Sequence, residues 1–394
     1  MATVVLSNPK FPEEGQVTIP LPIPQDEYEH CIELLDALCI GDAKYKDCQI
    51  DTIDSGYQFL ERLEGSCVNI DELDYLFKRF ESFCGDEDAA FQSLAHKYDF
   101  SEVKDLINLT FCCDQATVVT DFSNLNAIGK DHYLTMRGGH APIDDVNRQD
   151  GRKIAEDLLS SGKGIVTPYG VVFENSMQME QIYQGKGFPP YYYEPGVMAV
   201  VVTPYGREAA EDEQVWLHLP MPEKQILRSL ERVGLTLENA QVLYSERETP
   251  FEINDILSVE NEGLLELNAM CAAIQPMDER QREKLAAVIE YAEPQYSSQI
   301  KHLAENIDLF DFAPGVKTPK EYGEYMIRES GHFDYDENLA PYYDYEKYGE
   351  ERLSQQSGQF NDYGYVSYHG CLNLDELMME DPAEEQSFQM GGMI

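Results

Sequence analysis

The chain has 394 residues, of which 73 are acidic and 29 are basic, and its formal net charge is −44. A charge this negative excludes a nucleic-acid-binding surface, because DNA is bound by lysine and arginine side chains that contact its phosphates. Disorder is not predicted, because 43% of the residues are hydrophobic and the length suits two or three folded domains. Both halves carry the charge, which is −19 in residues 1–200 and −25 in residues 201–394.

The first 40 residues are predicted to form two apolar strands followed by a helix. The strands, residues 3–6 and 17–21, are separated by a short acidic loop, and prolines end the second strand. Apolar side chains then recur at helical spacing from Tyr28 to Cys39, with acidic residues between them. This pattern predicts an amphipathic helix.

A second helix is predicted to begin after Asn69, which can cap it, with Glu72 as a capping-box partner three residues later. One face of this helix is apolar and consists of Leu73, Leu76, Phe77 and Phe80. A further helix is predicted at residues 101–109. The first half is predicted to close with a helix at 154–159 and one strand at 165–173.

The second half repeats the first at an offset near 195 residues. The matching segments are 1–6 with 198–203, 17–24 with 215–222, 71–80 with 265–274, 139–140 with 331–332 and 169–170 with 363–364. We therefore predict a tandem duplication of a small mixed unit, an α+β fold with several subdomains. The predicted parts of the chain are a first unit at 1–174, an ordered connector at 175–197, a second unit at 198–370 and an acidic tail at 371–394. The apolar residues of the tail could let it dock as a short helix.

Targeting and redox signals are weak. Nine cysteines, without a CxxC pair, do not follow the repeat and are predicted to be free thiols in a cytosolic protein. We expect no secretory signal and no membrane span, because no charged start precedes an apolar segment and no apolar run is long enough.

No catalytic motif is found in either half, so an enzyme is not predicted, and neither is a cofactor. The sequence Asp334-x-Asp336-x-Asn338 resembles the start of a calcium loop, but Leu339 replaces the glycine that such a loop requires. The glycines around Lys163 lack a phosphate-loop pattern and are predicted to form a turn.

The acidic residues decorate nearly every predicted helix, which points to an extended acidic surface. Duplex DNA carries one charge per about 1.7 Å, so 44 charges correspond to about 75 Å, or roughly 22 base pairs. An elongated protein made of two units could span that length. Salt adaptation also produces acidic surfaces and remains an alternative explanation.

Several segments resemble the ArdA-type antirestriction proteins. In residues 239–296 these are LYSERE, ELNAMCAAI and DERQREKLAAVIEY, and in residues 317–353 they are TPKEYGEYMIRESG and ENLAPYYDYEKYGEERL. The first half is similar through DELDYLFKRF and INLTFCCDQ. The chain is about twice the usual length of the family unit, and its start lacks the Gly-rich, Lys/Trp-containing strand of the family.

The resemblance implies a non-enzymatic, elongated DNA mimic that occupies the DNA-binding groove of type I restriction–modification enzymes, on their methyltransferase core. Such proteins are encoded on conjugative elements and phages, act in the bacterial cytoplasm and dimerise. The doubled length predicts either a homodimer or an extended monomer that imitates one. It implies no cofactor, no metal, no membrane and no direct contact with nucleic acid.

The resemblance also suggests which residues mimic phosphates. The favoured set is Asp334, Asp336, Glu337, Asp344, Glu346, Glu350 and Glu351, and the second set is Asp71, Glu72, Asp74, Asp86, Glu87 and Asp88. Tyr342, Tyr343 and Tyr345 are expected to be core residues. Two alternatives remain open, which are an acidic module for another basic protein (a nucleoid protein, a repressor or a CRISPR effector) and an enzyme with a metal site among the carboxylates.

Overall fold

The computed structural model describes residues 2–83, 87–113, 116–174, 179–191, 196–207, 209–244, 253, 256–331 and 334–379. It confirms a mixed α+β fold with several small sheets. The chain divides into two compact units. The first consists of Met1–Glu194, Thr203–Trp216 and Pro222–Ala240, and the second consists of Pro195–Val202, Leu217–Met221 and Gln241–Ile394.

The first unit begins with a four-stranded sheet. Its strands are β1 (Ala2–Ser7), β2 (Gln16–Leu21), β3 (Cys48–Asp54) and β4 (Cys67–Val68), in the antiparallel order β2-β1-β3-β4. Helix α1 (Tyr28–Ala37) follows β2 and buries the apolar side of its predicted stripe, including Leu35. The sequence pattern predicted β1, β2 and α1 but not β3 or β4.

Three helices complete the main core of the first unit. They are α2 (Ile70–Glu81), α3 (Glu87–Tyr98) and α4 (Val103–Leu109). Asn69 caps α2 as predicted, because its side chain accepts a hydrogen bond from the Glu72 amide at 3.1 Å. The second half of the predicted capping box, in which the Glu72 side chain would accept from the Asn69 amide, is wrong. The Glu72 carboxylate accepts a hydrogen bond from the buried Tyr183 hydroxyl instead.

The first sequence copy ends in a small subdomain of three helices and three strands. Its elements are β5 (Ala116–Val119), α5 (Leu125–Thr135), α6 (Ile143–Arg148), α7 (Gly151–Ser160), β6 (Ile165–Thr167) and β7 (Gly170–Glu174), and the sheet order is β5-β7-β6. The single strand predicted at 165–173 is therefore a hairpin. Its turn includes Gly170, whose φ of +156° suits glycine.

Residues 179–191 of the predicted connector pack on the core of the first unit. Tyr183 is completely buried and Tyr191 is buried. The Asn108 side chain of α4 donates a hydrogen bond to the Tyr183 carbonyl at 3.0 Å and accepts one from the Tyr183 amide at 2.7 Å. These contacts give this segment a fixed place on α4.

The second sequence copy begins with β8 (Met198–Pro204), β9 (Val215–Leu219), α8 (Glu223–Arg232) and β10 (Ala240–Tyr244), and the sheet order is β10-β8-β9. Helix α8 belongs to the first compact unit. The remaining elements are α9 (Leu264–Ile274), α10 (Glu279–Ala292), α11 (Ser297–Glu305), β11 (Phe310–Pro314), α12 (Pro319–Arg328), α13 (Tyr345–Leu353), β12 (Gly358–Phe360), β13 (Gly364–Tyr368) and α14 (Leu374–Met379). Within the described residues, no helix has the length and apolar character needed to cross a membrane.

The two segments that the sequence analysis matched to each other have one pair of contacts in common. In each, a cis proline follows the second strand (Pro22 or Pro220), and the backbone N–H of the next residue donates to a side-chain oxygen on a later helix. Ile23 donates to Asp74 at 2.6 Å in the first copy, and Met221 donates to Asn268 at 2.9 Å in the second.

The closing subdomains of the two copies also correspond. The sheet order β11-β13-β12 repeats β5-β7-β6, and Gly364 has a φ of +153° where Gly170 has +156°. The helix that precedes each subdomain binds the following segment, because His302 contacts the Met378 carbonyl at 3.0 Å as Asn108 contacts Tyr183. Leu377 and Met378 of α14 are buried at that contact.

Candidate functional site

The seven favoured carboxylates lie on one segment of the second unit. The segment contains a 3₁₀ helix (Glu337–Tyr342) and α13, and the residues 334–351 include seven acids but only one base, Lys347. All seven acids are exposed to solvent, and they are Asp334, Asp336, Glu337, Asp344, Glu346, Glu350 and Glu351. We call residues 334–351, which carry these seven carboxylates, the acidic segment.

Two of the seven carboxylates also begin helical structure. The Asp344 side chain accepts a hydrogen bond from the Lys347 amide at 3.1 Å and caps α13. Asp336 likewise accepts from the Asn338 amide at 2.9 Å at the start of the 3₁₀ helix. Acidic side chains are favourable at helix N-termini, so both residues hold the local backbone while remaining exposed.

A close helix pair supports the acidic segment. A Cβ atom on Gly323 of α12 would lie 2.0 Å from the Tyr345 carbonyl oxygen, and one on Gly349 of α13 would lie 1.8 Å from the Pro319 carbonyl oxygen. Only glycine permits this approach of the two backbones. Because α12 holds α13 this closely, Glu346 and Glu350 are fixed to a rigid element, one helical turn apart.

The tyrosines of the acidic segment do not share one environment. Tyr343 and Tyr345 are half-buried, and their ring centroids are 5.8 Å apart. The prediction of a core position is wrong for Tyr342, which is 83% exposed. An exposed tyrosine beside carboxylates offers an apolar contact with a hydroxyl group, a combination common in binding surfaces.

The second predicted set includes three acids of α2, of which two are buried and the third is paired with an arginine. Glu72 and Asp74 are each only 5% exposed, and Asp74 is occupied by the Ile23 amide at 2.6 Å and by Lys78 at 3.8 Å. Asp71 is bound in two places by Arg228 of α8, at 3.1 and 2.8 Å. These three residues are therefore not available to imitate phosphates on a surface.

Arg232 is the centre of this buried network. Its side chain is 4% exposed, and it donates to the Ala43 carbonyl and to the Asn69 side chain at 2.7 Å each. It also donates to the Tyr183 hydroxyl, which in turn donates to Glu72 at 2.8 Å. Burial raises the pKa of Tyr183 well above its usual value, which keeps this hydroxyl protonated as a donor.

Arg228 and Asp71 form the more accessible part of the network. Burial alone would lower the pKa of Arg228, but the nearby Asp71 carboxylate and Tyr28 together outweigh it and raise that pKa. Burial, together with the charge of Asp71, also raises the pKa of Tyr28. A bidentate arginine–carboxylate pair at this degree of burial is a structural contact that fixes α8 on α2.

The remaining members of the second set are divided. Asp86 lies outside the described residues. Glu87 is half-exposed, and Asp88 is exposed but accepts a hydrogen bond from the Tyr57 hydroxyl at 2.6 Å. The structure therefore leaves only these two acids of the described part of the second set near solvent.

The sequence analysis did not single out Arg228, Arg232 or Tyr183. The two arginines are spaced by four residues on α8, which indicates one helical face but does not identify the carboxylates that they meet. Among the described residues, no group of three or more His, Cys, Asp or Glu side chains is arranged to bind a metal ion.

The comparison with protein families bears on the second half of the chain. The family model of the antirestriction protein ArdA matches residues 208–367. This match confirms the predicted resemblance over that range, which includes the whole acidic segment. No curated protein matches the chain.

Proposed function

From the match of residues 208–367 to the ArdA antirestriction family, we propose that this protein is a DNA mimic that occupies the DNA-binding groove of a type I restriction–modification enzyme. The observation that carries the proposal is that all seven carboxylates of the acidic segment are exposed inside the matched range. The protein then acts in the bacterial cytoplasm as a non-enzymatic inhibitor, without cofactor.

The mimicry is proposed to be electrostatic. Lysine and arginine side chains that line a DNA groove gain binding energy from phosphates, and carboxylates can replace those phosphates in the same groove. The acidic segment offers seven such groups and an exposed Tyr342. Because the charge is distributed, no single carboxylate is essential, and removing one exposed charge costs about 0–1 kcal/mol.

The matching closing subdomains of the two sequence copies support a tandem arrangement. Contacts such as Ile23–Asp74 and Met221–Asn268 recur at the repeat offset. We propose that one chain thereby provides two related units, and that the second unit carries the main phosphate-mimicking surface. Asp71 and Glu72 of the first unit are engaged with arginines, so the part of this unit in target binding is proposed to be smaller.

The experiment is inhibition of DNA cleavage by a purified type I restriction enzyme. A variant with Asn or Gln in place of all seven carboxylates of the acidic segment is expected to lose inhibition by more than tenfold, while Glu350→Gln alone stays within twofold. The matched control neutralises seven exposed acids of the first unit, which are Glu13, Glu14, Asp26, Glu27, Glu29, Asp36 and Asp54.

The control separates a surface from net charge. The control variant and the variant with seven substitutions in the acidic segment lose the same charge. If both lose inhibition equally, the total charge of the protein causes inhibition and the acidic segment is not the binding surface. A wild-type protein that inhibits no type I enzyme but binds another basic DNA-binding protein would favour the alternative target class. Abolition of inhibition by Glu350→Gln alone would contradict a distributed surface.

A further inference from the structure

The second unit contains an apolar cavity of about 290 Å³ beside α9 and α10. Its walls are buried aliphatic side chains, which are Val197, Ile253, Ile274, Leu285, Ala286 and Ile289. Arg282, Glu283 and Tyr363 complete the lining, and the first two are exposed, so the mouth of the cavity lies at the protein surface. Small-molecule sites are typically apolar cavities of roughly 300–1,000 Å³, so this cavity matches the small end of that range.

Helix α9 forms one wall of the cavity and corresponds to α2 of the first sequence copy. Asp74 of α2 and Asn268 of α9 accept equivalent backbone hydrogen bonds and lie 194 residues apart. At this offset the wall residue Ile274 corresponds to Phe80. The wall that α9 forms is therefore aliphatic where the first copy has an aromatic ring.

Helix α10 forms a second wall and corresponds to α3. Ser93 of α3 and Ala287 of α10 each contact the side chain of the residue 74 positions later, at 3.1 and 2.7 Å. These two helices therefore align at the same offset of 194 residues. Leu285 then corresponds to Phe91, so an aliphatic side chain again lies where the first copy has an aromatic one.

In the first copy, aromatic rings occupy the equivalent positions. The rings of Phe80 and Phe91 meet at a centroid distance of 4.9 Å, and Tyr57 stacks on Phe80 at 4.0 Å. Phe59, which corresponds to the wall residue Ile253, is only 1% exposed. The second copy thus has isoleucine or leucine at three positions where the first has phenylalanine. Smaller side chains leave a cavity when the surrounding structure relaxes only in part.

The walls and the mouth of the cavity define the chemistry of a ligand. An apolar cavity of about 150 Å³ can hold benzene, so this larger cavity has room for two fused rings. At the mouth, Arg282 carries hydrogen-bond donors and Glu283 carries acceptors, and a hydroxyl group can bond to both because it accepts and donates. Glu283 and the net charge of −44 disfavour an anionic group.

We propose that this space, the α9–α10 cavity, binds a small aromatic alcohol with one or two rings. The rings lie against Ile274 and Leu285, and the hydroxyl group accepts a hydrogen bond from Arg282 and donates one to Glu283. Arg282 is held at the mouth because it donates to two backbone carbonyls that follow α9, at 3.1 and 3.3 Å. This site is separate from the acidic segment and does not depend on mimicry of DNA.

The test uses the full chain and 2-naphthol as the probe. Isothermal titration calorimetry is expected to show saturable binding at one site per chain. Leu285→Phe restores the residue of the first copy and should fill the cavity, which weakens binding at least tenfold. The control Leu237→Phe adds the same ring at a position that is 41% exposed and should leave the affinity within twofold. The anion 2-naphthoate should bind at least tenfold more weakly than 2-naphthol.

Methyl NMR of the wild-type protein locates the bound probe without any substitution. Addition of 2-naphthol should shift the δ1 methyl signals of Ile274 and Ile289, whereas that of Ile19, buried in the first unit, should stay unchanged. If Leu285→Phe disturbs the fold by circular dichroism, Ala286→Gln, which also restores the residue of the first copy, is used in its place and is expected to block binding.

Three results would overturn the proposal. Absence of saturable binding would mean that the cavity is not available to a ligand. Equal affinity of the wild type and the cavity-filling variant, or methyl shifts that include Ile19, would place the probe elsewhere. Equal affinity for 2-naphthol and 2-naphthoate would contradict a neutral hydroxyl-bearing ligand.

Discussion

At the residue scale, two helical carboxylates of this protein have opposite environments. Glu350 of α13 is exposed, whereas Glu72 of α2 is 5% exposed and lies within reach of Arg232 and Tyr183. A buried carboxylate is tolerated only when it is paired and hydrogen-bonded, and Arg232 provides this compensation. Arg232 therefore commits Glu72 to the structure of the first unit, whereas Glu350 remains exposed to solvent.

Replacing Arg232 is expected to destabilise the first unit strongly. Arg232→Met leaves Glu72 buried without its cation, which costs about 3–5 kcal/mol of the free energy of unfolding. Urea unfolding measures the loss, and Arg152→Met serves as the control because its pair with Glu156 is exposed and worth about 0–1 kcal/mol. Equal losses for the two variants would contradict the importance of the buried network.

Adding Glu72→Leu to Arg232→Met should recover part of the loss, because an apolar pair no longer contains an uncompensated charge. No recovery would mean that the arginine acts through its contacts with Asn69 and Ala43 rather than through Glu72.

His132 is expected to make stability depend on pH. Burial lowers the pKa of His132, whose Nδ1 lies 2.8 Å from the Thr117 hydroxyl. As the pH falls below the ordinary histidine pKa of about 6.5, the unfolded chain takes up a proton that the folded chain does not, and stability falls. The stability that neutral His132 contributes is fully present above the ordinary histidine pKa. It is lost as the pH falls towards the lowered pKa of the folded protein.

Urea midpoints at pH 8, 7, 6 and 5 test this prediction against His132→Met, which introduces the residue found at the equivalent Met326. The wild type should lose stability relative to the variant between pH 7 and 5. A difference that is constant with pH, or that grows in favour of the wild type on acidification, would contradict the expected burial of neutral His132.

At the element scale, the protein positions its helices by close glycine contacts that recur in both copies. A Cβ on Gly129 would lie 1.8 Å from the Gly151 carbonyl oxygen, which brings α5 against α7 as Gly323 brings α12 against α13. In the second unit, α12 holds α13, which is the helix that carries Glu346 and Glu350. Because the glycine contact occurs in both helix pairs, we infer that each pair is a rigid scaffold. The charged residues on the scaffold differ between the α5–α7 pair and the α12–α13 pair.

Gly323→Ala is expected to push α12 and α13 apart. The new methyl group would lie 2.0 Å from the Tyr345 carbonyl oxygen, and the overpacking should cost about 1–3 kcal/mol, despite the better helix propensity of alanine. Stability measured by urea unfolding and inhibition of the restriction enzyme should both be reduced. The control is Gly56→Ala, since no atom lies within 4 Å of that Cβ, and a loss equal to that of Gly323→Ala would contradict the packing argument.

The sequence predicted local features of the elements better than their contacts. The Asn69 cap and the apolar stripe of α2 follow from residues within one or two helical turns, and both are present. The burial of Asp71, Glu72 and Asp74 depends on Arg228, Arg232 and Ile23, whose positions relative to α2 are set only by the tertiary fold. The carboxylates at 334–351 are exposed as expected, and Arg328 on the neighbouring α12 pairs with Glu324 of its own helix.

At the scale of the whole molecule, a net charge of −44 makes folding and binding compete for the same carboxylates. Self-repulsion destabilises a compact acidic protein, and pairing a few acids with arginine relieves it locally. The first unit uses its two α8 arginines in this way. The second unit keeps the acidic segment unburied, which suits a surface that must present charge to a basic groove.

The measurement that tests mimicry most directly is binding of the purified protein to a type I methyltransferase core, with competing duplex DNA, across a salt series. Mimicry in the DNA groove predicts that DNA displaces the protein competitively and that affinity falls steeply as salt rises, because both ligands use the same basic residues. Tight binding that is indifferent to DNA and salt would contradict the proposed function.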